Sequence, residues 1–287
     1  MRKRLLDISK KIDPLDLKVL KKIKEVADSL QLDFFIIGAT VRDMILHYVY
    51  DIKIYRRTND IDFAVRVKNW DEYYKLTAEI EKVGFKKDKR ITHRFYYDGI
   101  VVDFIPFGEI ADEKNDLTWP DKEKKKMNLI GFDDAYFSSE EILIQTELDI
   151  VIKTASVESL VMLKIFAWND RRADDRLKDA RDLYLIMSTY IRAGNEARIY
   201  EEHPDIVEEA KDYELAGARL LGRDIISVAR DSVIKHLLEI LNKERIAILA
   251  NEMAQYEGLV TERDVRTEKC VNLLMNMRLG LENKKGV

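Results

Sequence analysis

The chain is poor in residues that cross-link or punctuate a backbone: its 287 residues include one cysteine, four prolines and eleven glycines. Cys270 alone cannot close an internal disulfide, and His47, His93, His203 and His236 lie too far apart in sequence for a zinc-binding spacing. So little proline and glycine beside 46% hydrophobic and 36% charged residues excludes collagen-like, low-complexity and wholly disordered classes. No run approaches the roughly 18 uninterrupted apolar residues of a membrane span. The start, Met1-Arg2-Lys3-Arg4-Leu5-Leu6-Asp7, has no apolar core before its charges resume. Neither a span nor a secretory signal is expected, which places the chain in the cytoplasm. An excess of positive charge is also missing: a net charge of −4 and a pI near 5.8 argue against non-specific coating of nucleic acid. Lys122, Lys124, Lys125 and Lys126, after Trp119-Pro120, read as a solvated surface run.

The length corresponds to about two domains. All four prolines (Pro14, Pro106, Pro120, Pro204) precede residue 205, and the chain beyond is rich in Ala, Leu, Glu, Arg and Lys at helical spacing. That part reads as a helical bundle. Leu15, Val19, Ile23, Val26 and Leu30 give residues 15–31 a helical face. Between these ends lie short runs rich in Phe, Ile, Val and Tyr, at 33–38, 60–67, 94–97 and 100–107, which read as strands. Asp98-Gly99 supplies the positive backbone angles of a two-residue hairpin turn between the last two. Helical patterns at 41–49 and 71–83 separate the earlier strands. The class is α+β.

The chemistry gathers on these strands. In Thr58-Asn59-Asp60-Ile61-Asp62-Phe63-Ala64-Val65 the period of two puts Asp60 and Asp62 on one face and Ile61, Phe63 and Val65 on the other. Carboxylates spaced in this way can converge on a pair of magnesium ions. Asp103 interrupts an otherwise apolar strand that the hairpin delivers to the same sheet. Taken singly, each acid has a plain structural reading, such as Asp103 pairing with an arginine. Taken together, three neighbouring acids repel one another unless cations are bound, and this predicts a metal site of Asp60, Asp62 and Asp103. Upstream, Phe34-Phe35-Ile36-Ile37 runs through Gly38-Ala39-Thr40 into a helix, and small residues at such a turn let phosphates approach backbone N–H groups. His93 and Arg94 precede the hairpin and are left outside the catalytic set.

Gly38-Ala39-Thr40-Val41-Arg42-Asp43, then Asp60-Ile61-Asp62, then Asp103 resembles the nucleotidyltransferase superfamily of DNA polymerase beta and the CCA-adding enzymes over about residues 33–107. Leu160 to Trp168, with Arg171-Arg172 and Lys178-Asp179-Ala180-Arg181-Asp182-Leu183, extends the likeness to about residue 190 and resembles the AbiEii-type nucleotidyltransferases, toxins of bacterial toxin–antitoxin and abortive-infection systems. The turn departs from the superfamily in having Gly-Ala where Gly-Ser or Gly-Gly is usual.

The resemblance implies a mixed sheet with flanking helices in residues 1–194 and a helical bundle in 195–287. It also implies metal-dependent transfer of a nucleotide from a nucleoside triphosphate. Asp60 and Asp62 would hold magnesium, or manganese in its place, while Asp103 ligates one ion and helps deprotonate the acceptor hydroxyl. Gly38, Ala39, Thr40, Arg42 and Lys164 would hold or neutralise the nucleotide. RNA, for example the end of a tRNA, is the implied acceptor, and a cognate antitoxin an implied partner. Lys164 shares its helix face with Leu160, Ala167 and Trp168, so the plain reading is a stem packed on an apolar surface with its amine in water. Asp179 reads as structural, and Asp182 is left open. The competing function class is a nucleotide-binding regulatory module without turnover.

Overall fold

The structure, a computed structural model, describes residues 5–55, 58–120, 125–256 and 262–282. Lys122 and Lys124 of the basic run lie outside them, while exposed Lys126 stands 3.7 Å from Asp116. The chain forms two compact units, one of Met1–Met44 with Arg56–Ser156, the other of Ile45–Tyr55 with Val157–Val287. Among the described residues no helix is long and apolar enough to cross a membrane.

The first unit is α+β. Its strands are β1 (Leu5–Asp7), β2 (Phe34–Ile37), β3 (Asp60–Arg66), β4 (Lys86–Lys87), β5 (Arg94–Tyr97), β6 (Ile100–Phe107), β7 (Asp116–Thr118), β8 (Lys126–Asn128), β9 (Glu140–Gln145) and β10 (Ile150–Thr154). The helices are α1 (Pro14–Ser29), α2 (Gly38–Arg42), α3 (Trp70–Lys82) and α4 (Phe132–Phe137), and a π-helical stretch, Asp43–Val49, follows α2. Eight strands form one mixed sheet in the order β1-β9-β10-β2-β3-β6-β5-β4, and β7 pairs with β8 apart from it.

Local chemistry sets these elements. Asp13 caps α1 by accepting from the Leu15 N–H at 2.8 Å, with Pro14 in the first turn where its missing N–H costs nothing. The buried face of α1, Val19, Leu20, Ile23, Val26 and Ala27, follows the helical period. Asn69 caps α3 through the Glu72 N–H. At the hairpin, Asp98 and Gly99 both take positive φ, 48° and 90°, so that Tyr97 pairs with Ile100. In β3 the apolar face is fully inside: Ile61, Phe63 and Val65 are at most 2% exposed. Phe63 stacks on Phe104 of the parallel neighbour β6 with ring centroids 5.6 Å apart.

The second unit is helical: α5 (Val157–Asp170), α6 (Ala173–Thr189), α7 (Glu196–Glu201), α8 (Pro204–Ala210), α9 (Tyr213–Val228), α10 (Asp231–Ile240), α11 (Lys243–Met253) and α12 (Arg263–Glu282), with a second π-helical stretch, Ile191–Asn195. This unit begins before residue 195, because α5 is buried on nearly every side and packs with α6, α9 and α10. At the centre α9 crosses α12 backbone to backbone. A Cβ built on Gly222 would overlap the Met277 carbonyl oxygen and stand 2.9 Å from Gly280 Cα, so neither glycine leaves room for a side chain.

Candidate active site

Register brings the predicted residues of the first unit into one row. Ile37 of β2 pairs with Asp62 of β3, Asp62 pairs with Asp103 of β6, and Asp103 pairs with Arg94 of β5. Paired residues on adjacent strands, about 4.8 Å apart, share a face. Asp60 lies two residues before Asp62 and joins that face. Gly38 follows Ile37 at the end of the row, with a φ of +78° that side chains disfavour. A Cβ built there would overlap the Asp62 carboxylate and lie 3.0 Å from its Cγ. The small-residue turn and the paired acid are therefore in contact.

The rest of the turn holds itself together. The Thr40 hydroxyl donates to the Asp60 backbone carbonyl at 2.6 Å, so its proton ties α2 to β3 instead of pointing outward. Arg42 and Asp43, both buried, form an ion pair in which Nε donates at 2.7 Å, and Asp43 also accepts from the Thr58 N–H at 3.3 Å. Arg42, predicted to face the nucleotide, thus pairs with Asp43, which in turn fastens the start of the π-helical stretch to the loop before β3. No side chain caps α2, which leaves Gly38 and Ala39 with bare backbone at its head.

Asp103 differs from the expectation. Its side chain is 9% exposed, and both its oxygens are taken by Arg94, with Nε donating to Oδ1 at 2.9 Å and Nη2 to Oδ2 at 2.7 Å. The His93 Nε2 stands 3.9 Å from Oδ2, its ring tilted against Trp119 with centroids 4.9 Å apart. The hydrogen bond to Asp103 holds the Arg94 guanidinium above its usual range, partly opposed by burial and reinforced by the charges of Asp103 and Asp60. The repulsion among the three acids is therefore relieved in part by an internal cation. Among the described residues no three His, Cys, Asp or Glu side chains form a group that could hold a metal ion. Asp60 and Asp62 offer hard carboxylate oxygens of the kind magnesium takes, beside a glycine cradle that a methyl would fill.

The register makes Arg94 the residue that sequence reasoning passed over, and the signal was present: a two-residue turn that pairs Tyr97 with Ile100 also pairs Arg94 with Asp103. In the second unit Lys164, 7% exposed, does not reach water as the plain reading had it. Its amine donates to Asp182 at 2.5 Å and stands 3.6 Å from Asp179, which Arg171 also pairs.

A family model described as "Nucleotidyl transferase AbiEii toxin, Type IV TA system" matches residues 24–259. Among solved structures the chain is similar to the antibiotic-resistance factor ANT(2'')-Ia, at 13% identity over 69% of this chain and 97% of that one, with a TM-score of 0.39. It is similar also to the Thermotoga maritima CCA-adding enzyme complexed with tRNA, at 11% identity over 96% and 82%, TM-score 0.28. A CCA-adding enzyme in complex with CTP gives 12% identity over 93% and 80%, TM-score 0.30. These likenesses are too loose to match residue with residue. No curated protein matches the chain. The family match spans most of the sequence and includes the turn, the paired aspartates and the α5–α6 block: the chain belongs to the AbiEii nucleotidyltransferase toxin family.

Proposed function

We propose that the protein transfers a nucleotide from a nucleoside triphosphate to a hydroxyl of an RNA acceptor, a tRNA end being the first to test, and that it acts in this way as a cytoplasmic toxin with a cognate antitoxin. The observation that carries the reading is the contact between Gly38 and the Asp62 carboxylate on the face shared with Asp60. Asp60 and Asp62 would hold magnesium. When bound, the ion supplies positive charge against the triphosphate and polarises the phosphorus under attack. Gly38 and Ala39 keep side chains away from the phosphates, and their backbone N–H groups face the anion. Thr40, through the Asp60 carbonyl, keeps that turn in register with the acids. The acceptor hydroxyl gives up its proton to solvent and its oxygen forms a bond to the α-phosphorus as the bond from that phosphorus to the bridging oxygen breaks, and pyrophosphate leaves with the electron pair.

The test is incubation of the purified protein with each labelled nucleoside triphosphate, magnesium and total RNA. Label in RNA is expected, and its loss in Asp60→Asn/Asp62→Asn with the melting temperature retained. Nucleotide binding with no label on any acceptor would instead identify a regulatory module without turnover, and unchanged transfer by the double variant would remove the acids from the chemistry.

A further inference from the structure

Arg94 and Asp103 face each other in register across β5 and β6, and the guanidinium grips the carboxylate as a fork. Among the described residues Asp103 is the one hydrogen-bond partner of the Arg94 side chain. The pair uses the Nε and Nη2 edge and leaves Nη1 without an acceptor. The Arg94 side chain is 28% exposed, so that edge is open to a solute. A planar guanidinium anchored on one edge has lost most of its rotamer freedom and presents the other at a fixed angle, the arrangement suited to a phosphate oxygen.

Asp103 cannot serve two masters. Each Asp103 oxygen gives one lone pair to the Arg94 guanidinium, whose positive charge weakens both oxygens as metal ligands, and separating such a pair is costly at a site this sheltered. On the same face, in register with Asp103, stands Asp62 with Asp60 two residues before it, and a cation held by those two carboxylates would bring a phosphate chain with it.

We infer that Arg94 is a phosphate-binding residue of the nucleotide site and that Asp103 is a positioning residue which aims it, not a third metal ligand. The inference rests on the reading of Asp60 and Asp62 as the metal-holding pair. It assigns to a fixed side chain the charge neutralisation otherwise sought from a further ion, and it leaves the ion to two carboxylates.

The test separates metal from nucleotide. Manganese binding without nucleotide is measured by titration in the electron paramagnetic resonance spectrum, and nucleotide binding by calorimetry with the α,β-methylene analogues of the four nucleoside triphosphates. In Arg94→Gln the analogue is expected to bind about tenfold to a hundredfold more weakly, the worth of one charge-assisted hydrogen bond, with manganese affinity unchanged. Asp103→Asn is expected to weaken the analogue less than Arg94→Gln does, and the double variant to be no weaker than Arg94→Gln alone, because both changes undo one interaction. Arg94→Lys, which keeps the charge but not the fork, guards against a folding defect in the Gln variant and is expected to fall between Arg94→Gln and the parent.

Manganese binding by Asp103→Asn as weak as that of Asp60→Asn would make Asp103 a third ligand and overturn the inference alone. Equal analogue affinity in Arg94→Gln and the parent would overturn it too. Unchanged manganese binding by Asp60→Asn would take down the underlying site reading with it.

Discussion

Gly38 and Asp62 touch: the α-carbon of the turn lies where any side chain would meet the carboxylate. The two residues are therefore one functional object, a bare backbone position and the acid it leaves room for. Gly38→Ala adds one methyl, which must turn Asp62 out of place, and it holds alanine at a φ of +78°. The strain costs about 1–3 kcal/mol, but the larger effect is on chemistry. Transfer should fall by about a hundredfold, the scale of an ångström-level misplacement. Label-transfer rates for Gly38→Ala and parent, with melting curves beside them, check this; transfer within error of the parent would separate the turn from the acid.

Lys164 is predicted to matter to folding first. Its buried amine neutralises Asp182 and Asp179, so Lys164→Met takes the shared cation from between two carboxylates in a sheltered site, where Arg171 pairs with Asp179. Removing one partner of a buried pair costs about 3–5 kcal/mol, which for a unit of this size lowers the melting temperature by about 10 °C. Calorimetric melting of the variant measures it. A variant that melts like the parent yet binds triphosphate more weakly would return Lys164 to the phosphates, the role its family resemblance implied.

The crossing of α9 and α12 offers a contest between two known magnitudes. Alanine is favoured over glycine in a helix interior by about 1 kcal/mol, whereas forcing a methyl into a close-packed contact costs typically 1–3 kcal/mol, and more where backbone meets backbone. Gly222→Ala and Gly280→Ala should both lower the urea midpoint, because no rotamer change can relieve overlap with the Met277 or Arg219 carbonyl. A rise in the midpoint would show that the helices can part without penalty.

Cys270 is fully buried, and burial pushes its thiol up to about 12, Lys269 and Arg266 pulling weakly the other way. At pH 8 only about one thiol in ten thousand is then ionised, and the thiolate is the reactive form. Ellman's reagent should leave the native protein untouched and titrate its single cysteine in guanidinium. Rapid labelling under native conditions would mean that α12 opens readily.

Strands β2, β3, β5 and β6 were legible because each announces itself locally, by period-two burial or by the Asp98-Gly99 turn. The Asp60 and Asp62 pair was legible for the same reason. What escaped depends on contacts no local pattern encodes. Strand β1 has three residues and finds β9 at Glu141–Leu143, far along the chain. The hydroxyl of Thr40 reads as phosphate-facing from its turn but is claimed by a carbonyl twenty residues on. The carboxylates that quench Lys164 sit on the next helix, where spacing along α5 cannot reveal them. Arg94 is a different case, since hairpin register already placed it opposite Asp103. A cation for the third acid stands on the adjacent strand of the sheet.

The order of strands in the sheet has a consequence for when the site comes into being. Strands β2, β3, β6 and β5 are sheet neighbours and are encoded together, with everything from Gly38 to Asp103 lying between Phe34 and Phe107. Loops within this stretch are short and cheap to close, whereas β1 must await a partner encoded more than a hundred residues later. On a ribosome, the strand of the paired acids, β3, has both its neighbours, β2 and β6, once β6 has emerged, and β5 with Arg94 has β4 and β6, whereas β2 still awaits β10. The edge strand β1 is added to a sheet whose central pairing is already specified.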